Sequence, residues 1–257
     1  MILPMILDQF SLKEKVAIVT GARTGLGQGM ALALAEAGAD IVGVGTKPMP
    51  ETHDKVEALG RKFLGIEANL MSVEPIPEII SQTVTTFGKI NILVNNAGII
   101  RRTDAIDFSE QDWDDVVAID LKTVFFLSQA MAKQYIKQGS GGKIINIASL
   151  LSFQGGIRIP SYTASKSGVM GITRALANEW AKYKININGI APGYMVTNNT
   201  APIRADQERY QAILERIPAG EWGTPADMQG PVVFLASAAS DYVNGYTLAV
   251  DGGWLAR

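Results

Sequence analysis

Short runs of β-branched and aliphatic residues alternate along the chain with amphipathic stretches of helical period, and this alternation predicts its elements. Apolar runs at 16–20, 40–44, 63–67, 90–94, 143–148, 185–190 and 246–250 read as strands. Between them, 28–37, 73–87, 112–138 and 225–236 read as helices, as does a stretch carrying Tyr162 that runs to about 184. Within 112–138 the apolar positions Val116, Ile119, Val124, Leu127 and Met131 suit a core or a subunit contact. The alternation is an α/β pattern. Residues 198–222 are polar, punctuated by proline and partly helical, which makes them a candidate lid. No internal repeat or low-complexity linker interrupts the chain.

Composition narrows the function. A chain of 257 residues that is 47% hydrophobic and 19% charged can bury one sizeable core, so a single domain is expected. The net charge is −2, from 23 basic and 25 acidic residues without a basic run. That balance gives no electrostatic reason to expect nucleic acid or an anionic membrane as partner, and a small molecule is expected instead. There is no cysteine, and His53 is the sole histidine, so neither a disulfide framework nor a metal cluster is expected. His53 falls in the polar stretch 50–55 and reads as surface. The apolar start at 1–7 lacks a basic segment and is cut short by Asp8, and no apolar run reaches the ~18 residues of a membrane span. A cytoplasmic protein is expected.

The candidate chemistry lies where predicted strands end. After the first strand, Gly21, Gly25 and Gly27 lead into a helix, a spacing that permits either a tight turn or the approach of a pyrophosphate to free helix N–H groups. The second strand ends at Gly45, Thr46 and Lys47, with no acid to take an adenosine ribose; Lys47 and Arg23 could meet a 2′-phosphate. Asn69 follows the third strand, and Asn95, Asn96, Ala97 and Gly98 close the fourth. Arg101 and Arg102 come next, able to clamp a carboxylate or simply to be solvated. Ser149 ends the fifth strand, and the loop after it carries Gln154 and Arg158. Tyr162 and Lys166 then stand four apart on one helical face. A tyrosine acting as base near neutrality must fall from about 10, a change worth about 3–4 kcal/mol, and a neighbouring ammonium can supply it.

These motifs, T-G-x-x-x-G-x-G at 20–27, N-N-A-G at 95–98, Ser149, Y-x-x-x-K and P-G-x-x-x-T at 192–197, resemble the short-chain dehydrogenases/reductases in content and order. The resemblance implies a doubly wound Rossmann fold with a seven-stranded parallel sheet. It also implies that Tyr162 is the base, that Lys166 tunes it and holds the nicotinamide ribose, and that Ser149 orients the reacting oxygen. Gly21, Gly25 and Gly27 would face the cofactor phosphates with Arg23, Thr24 and Leu26 beside them. Asn69 and Leu70 would meet the adenine, Asn96, Ala97 and Gly98 the adenosine side, and Pro192, Gly193 and Thr197 the carboxamide side. Two residues depart from the family's pattern: Asn69 stands for its usual Asp, and Asp120 for the Asn that links the lysine to a water chain. Within the family the stretches 21–30, 149–170 and 241–257 resemble dehydrogenases of deoxy sugar acids. A sugar acid substrate is therefore expected, met by Arg101, Arg102, Gln154 or Arg158, with NAD as cofactor, NADP as the alternative, and a homotetramer as the assembly. The runner-up is a reductase for another carbonyl, such as a polyol, ketose or acyl thioester.

Overall fold

Seven strands form one parallel sheet in the computed structural model, which describes residues 5–257. The first four positions of the apolar start 1–7 lie outside the described residues. The strands are β1 (Val16–Thr20), β2 (Asp40–Gly45), β3 (Phe63–Glu67), β4 (Ile92–Asn95), β5 (Gly142–Ile147), β6 (Ile185–Pro192) and β7 (Thr247–Val250), in spatial order 3-2-1-4-5-6-7. Every residue of β1 and β4 is buried. Strands covered on both faces need continuous apolar runs, and for that reason they were legible. The chain winds outward from β1 to β3 and returns to β4, so the β1/β4 boundary is the switch point where a crevice opens at the carboxyl edge.

Helices α1 (Gly25–Glu36), α2 (Pro50–Ala58) and α3 (Ile76–Phe87) follow the first three strands. Then come α4 (Glu110–Val117), α5 (Thr123–Gln138), α6 (Pro160–Trp180), α7 (Ala201–Ala205), α8 (Gln207–Leu214) and α9 (Gln229–Ala236). Val116, Val124, Leu127 and Met131 are buried in the chain's own core. Among the described residues no helix is long and apolar enough to cross a membrane, and no acidic, histidine or cysteine group could hold a metal ion. His53 lies on α2, partly exposed, with its imidazole nitrogens near Asp54 and Glu57.

Three of the predicted boundaries that differ have a clear local reason. Helix α1 begins at Gly25 and not at 28, because the glycines themselves wind its first turn. Ile90 precedes β4 because its N–H and C=O are taken by the Gln138 side chain at 3.0 and 2.9 Å. The expected helix 112–138 is interrupted by a π-helical turn, Ala118–Lys122, closed by the Thr123 N–H on the Ala118 carbonyl. Such single-turn insertions gather at functional sites.

A buried polar network fastens the centre of the sheet to the helices. The Asn95 amide donates to Asn146 Oδ1 at 2.8 Å and to Ser128 Oγ at 3.0 Å, and Asn146 donates to Thr173 Oγ1 at 2.9 Å. All four side chains are buried. Removing the donor would leave Asn146 Oδ1 and Ser128 Oγ short of a partner away from water. Asn95→Ala should therefore destabilise the fold by about 1–3 kcal/mol, read as a lower urea midpoint with an unchanged slope.

Candidate active site

The crevice begins where β1 meets α1. Gly21 adopts a φ of 70°, and a Cβ there would lie 2.8 Å from the Asn96 Nδ2. A Cβ on Gly27 would press on the Gly21 carbonyl. Both glycines are therefore needed for α1 to pack against the turn and leave its first amides facing the cleft. Thr24, the N-cap, makes no side-chain cap, so those amides stay available to an anion. The other wall is tied to the first by Thr20, whose Oγ1 accepts from the Asn96 and Ala97 N–H groups at 2.9 Å each, while Asn96 Nδ2 donates to the Thr20 carbonyl at 2.9 Å.

Two cavities meet along this edge. One of about 610 Å³ is lined by Gly21, Thr24, Gly25, Leu26, Gly27, Asn96, Ala97 and Gly98 at one end and by Pro192, Gly193 and Thr197 at the other. The second, of about 470 Å³, runs under the segment 198–222 and is lined by Gln154, Ile203, Ile213 and Trp254 among others. They share Ile100, Ser149, Tyr162, Pro192, Gly193 and Thr200. The serine and tyrosine thus stand at the junction of a compartment bordered by the glycine turn and a more apolar one. The first compartment fits a dinucleotide, since it joins a glycine cradle and a helix N-terminus to the serine and tyrosine.

At the junction, Lys166 is 4% exposed and Asp120 is fully buried. The Lys166 Nζ donates to the Ile147 carbonyl at 2.9 Å and lies 3.3 Å from Asp120 Oδ2 and 5.4 Å from the centre of the Tyr162 ring. Asp120 Oδ1 accepts from the Ile99 N–H at 2.8 Å. Its approach depends on Gly98, where a Cβ would come within 2.7 Å of Oδ2. Burial raises the Asp120 pKa, partly offset by Lys166 and the Ile99 N–H. Burial alone would lower the Lys166 pKa, but Asp120 and Tyr162 more than offset it, and the ammonium form is favoured.

Tyr162 differs from the expectation. It is only partly buried by surface area, because it lines both cavities, yet the protein packed around it makes burial the largest influence, and its pKa is raised. Lys166 pulls downward as expected, helped by Ser149 and Arg102, while the Asp120 carboxylate pushes up with burial. A neutral Asn would not exert that push.

Several expected contacts are not brought to the cavities. Arg101 is held by Asp112 at 3.2 Å and Asp115 at 3.1 Å, and Arg158, at a φ of 67°, by Asp104 at 2.9 Å. Neither lines the second cavity, because each guanidinium is drawn to a carboxylate elsewhere; Arg102 does line it. Gln154 lines it too, with its Oε1 accepting from Trp254 Nε1 at 3.1 Å. Arg23, Asn69 and Leu70 lie outside the first cavity's lining. The Arg23 side chain is exposed, Asn69 Oδ1 closes a turn on the Met71 N–H, and Leu70 is buried in the core. Missed by sequence reasoning were Ile100, Tyr194, Arg209 and Arg216. The two arginines sat within the segment read as a lid, and a lid's polar side chains are the signal that could have found them.

Residues 21–255 match the family described as Enoyl-(Acyl carrier protein) reductase. The chain is 66% identical over 253 residues to 2-dehydro-3-deoxy-D-gluconate 5-dehydrogenase of Escherichia coli, covering 98% of this chain and 100% of that one. A solved structure from Agrobacterium tumefaciens, assigned as a 2-deoxy-D-gluconate 3-dehydrogenase with bound NADP, is 52% identical at a TM-score of 0.89, covering 97% of this chain and 100% of that one. Another, a gluconate 5-dehydrogenase from Burkholderia cenocepacia in complex with NADP and tartrate, is 36% identical at a TM-score of 0.93, covering 98% and 100%. With its glycine turn, its parallel sheet and its Ser149, Tyr162 and Lys166 at the carboxyl edge, the chain belongs to the short-chain dehydrogenase/reductase family.

Proposed function

We propose that this protein interconverts a secondary alcohol and a ketone on a deoxy sugar acid, of the 2-dehydro-3-deoxy-D-gluconate or 2-deoxy-D-gluconate type. The observation that carries the reading is the meeting of Ser149 and Tyr162 where the two cavities join, with Lys166 beside them in the first. A nicotinamide held along the first cavity supplies the hydride acceptor or donor. Tyr162 takes the proton from the alcohol oxygen in oxidation and returns it in reduction. Ser149 orients that oxygen by a hydrogen bond, and Lys166 stabilises the phenolate that forms. Asp120 keeps the lysine an ammonium without serving as a hydrogen-bond donor in its carboxylate form.

The apolar lining around Ile100, Leu150, Ile203 and Ile213 is the one feature that suits the runner-up, a reductase for an acyl thioester. Three arginines on the same cavity, Arg102, Arg209 and Arg216, favour the acid. The reading also carries a homotetramer, for which the exposed Trp113, Phe126 and Ile136 offer apolar contact surface.

The proposed cofactor is NAD(H), with NADP(H) admitted as well. NAD(H) follows from the family resemblance. A Cβ at Gly45 would meet nothing within 4 Å, and neither Gly45, Thr46 nor Lys47 is acidic, so that turn puts no carboxylate against a 2′-phosphate. Gly45→Asp should lower kcat/KM for NADP(H) by about tenfold or more, as a carboxylate at the end of β2 repels a 2′-phosphate, while sparing NAD(H). Steady-state rates with both cofactors check this; parallel losses would place the ribose elsewhere.

Two further outcomes test the machinery. Tyr162→Phe should leave less than about one hundredth of the activity while binding cofactor nearly as before, because general bases contribute 100-fold or more. Activity above about a tenth would remove Tyr162 from that role. Asp120→Asn deletes the charge that raises both the Tyr162 and the Lys166 pKa. The Ile147 carbonyl and Tyr162 still favour the Lys166 ammonium, so the phenolate becomes easier to form and the acidic limb of the oxidation profile should move to lower pH. Superimposable pH profiles of kcat/KM would show that Asp120 does not act on the base.

A further inference from the structure

We propose that the segment over the second cavity reads the substrate's charge: Arg209 on α8 closes with Arg102 on the carboxylate of the bound acid. This rests on the sugar acid reading and specifies which residues recognise the acid end. The arginines of the region divide into two sets. Arg101 and Arg158 are held by Asp112, Asp115 and Asp104. Arg102, Arg209 and Arg216 line the cavity, and among the described residues none of them has a carboxylate partner. All three are exposed to solvent, so they stay hydrated in the open cavity with their guanidinium groups free to pair with an incoming carboxylate.

Position selects two of the three. Arg216 is stacked on the Trp254 ring at 4.1 Å, and that ring is fixed in turn by its bond to Gln154. Stacking already gives that guanidinium a place on the wall. Arg102 donates to the Asn199 carbonyl at 3.0 Å, which joins the loop after β4 to the first turn of the segment. Arg102, Arg209 and Tyr162 line the same cavity, so a substrate whose alcohol reaches Tyr162 can extend a carboxylate toward the two arginines. Arg209 itself has an exposed side chain, and the Asp206 Oδ1 beside it accepts from its backbone N–H at 3.1 Å and not from the guanidinium. Helix α8 is anchored by Ile213 and by the Tyr210 ring stacked on Trp222 at 5.4 Å, in an apolar cluster separate from the two main cores. Such a small cluster allows the helix to adjust without disturbing the sheet.

The test pairs 2-deoxy-D-gluconate with its neutral amide, 2-deoxy-D-gluconamide, on wild type, Arg209→Ala, Arg209→Lys and Arg101→Ala. Arg209→Ala should lower kcat/KM for the acid by about ten- to a hundredfold and change the amide by less than about threefold, since the lost contact is a charged hydrogen bond. Arg209→Lys should fall between, and Arg101→Ala should show no difference between acid and amide. Equal losses on acid and amide, or no loss on either, would overturn the proposal and leave the dehydrogenase reading standing. A second readout does not need turnover: backbone hydrogen exchange over 198–214, with the acid and oxidised cofactor present, should slow in wild type and not in Arg209→Ala. If no sugar acid is turned over but the acid still protects this segment through Arg209, the dehydrogenase reading falls and the charge-reading segment stands. Equal protection in both proteins would overturn it.

Discussion

The site depends on keeping one ammonium ion charged inside the protein. Lys166 is buried on a helix packed against the central sheet, and an unpaired charge there would be costly enough to neutralise itself or unfold its surroundings. Its surroundings are arranged accordingly. The Ile147 carbonyl at the end of β5 accepts a hydrogen bond from the ammonium, Asp120 supplies the counter-charge, and Ser152 Oγ donates to the lysine's own carbonyl at 2.6 Å. The aspartate reaches this place from a π-helical turn, and Gly98 leaves room for it. Breaking such a buried pair from one side typically costs about 3–5 kcal/mol, so its geometry constrains three segments at once.

Below that pair the molecule is stiff, and above it less so. Thr20 and Asn96 lock the two walls of the crevice at the switch point, while Asn95 and Asn146 fasten the same strands to α5 and α6. These polar bonds are directional, so they fix register where apolar packing alone would tolerate sliding. The segment over the second cavity is secured differently, by Ile203, Ile213, Ile217 and Trp222 packed on Leu150 and Trp254. Non-directional contacts of that kind permit small adjustments, which suits a part that must admit and release substrate.

That division also explains what could be read from the chain. The buried strands and the Tyr162/Lys166 spacing are local patterns, visible in a window of a few residues, and both appear in the structure as expected. The place of Asp120 was legible as a departure from a family pattern, but its π-turn was not, because one extra residue in a turn barely alters the helical period over 112–138. Arg101 and Arg158 looked equivalent to Arg102 because all three lie on loops near the carboxyl edge. What separates them is the company of Asp104, Asp112 and Asp115, set by how the loops fold back. The rise in the Tyr162 pKa was equally hidden, since spacing reveals the helpful cation and not the burial that outweighs it.

The two halves of the cleft bind by different means, and this bears on how selectivity can change. The first cavity offers a glycine turn and the N-terminal amides of α1, so its anion-binding end relies on backbone groups that replacement of nearby side chains leaves in place. The far end is lined mostly by side chains: arginines, aromatic rings and aliphatic residues on loops and short helices. Replacing one of these alters what is recognised without moving Ser149, Tyr162 or Lys166, which are held from beneath by β5 and α6. The hydride chemistry therefore belongs to the sheet, and the identity of the substrate to a surface that can vary while the sheet stays fixed.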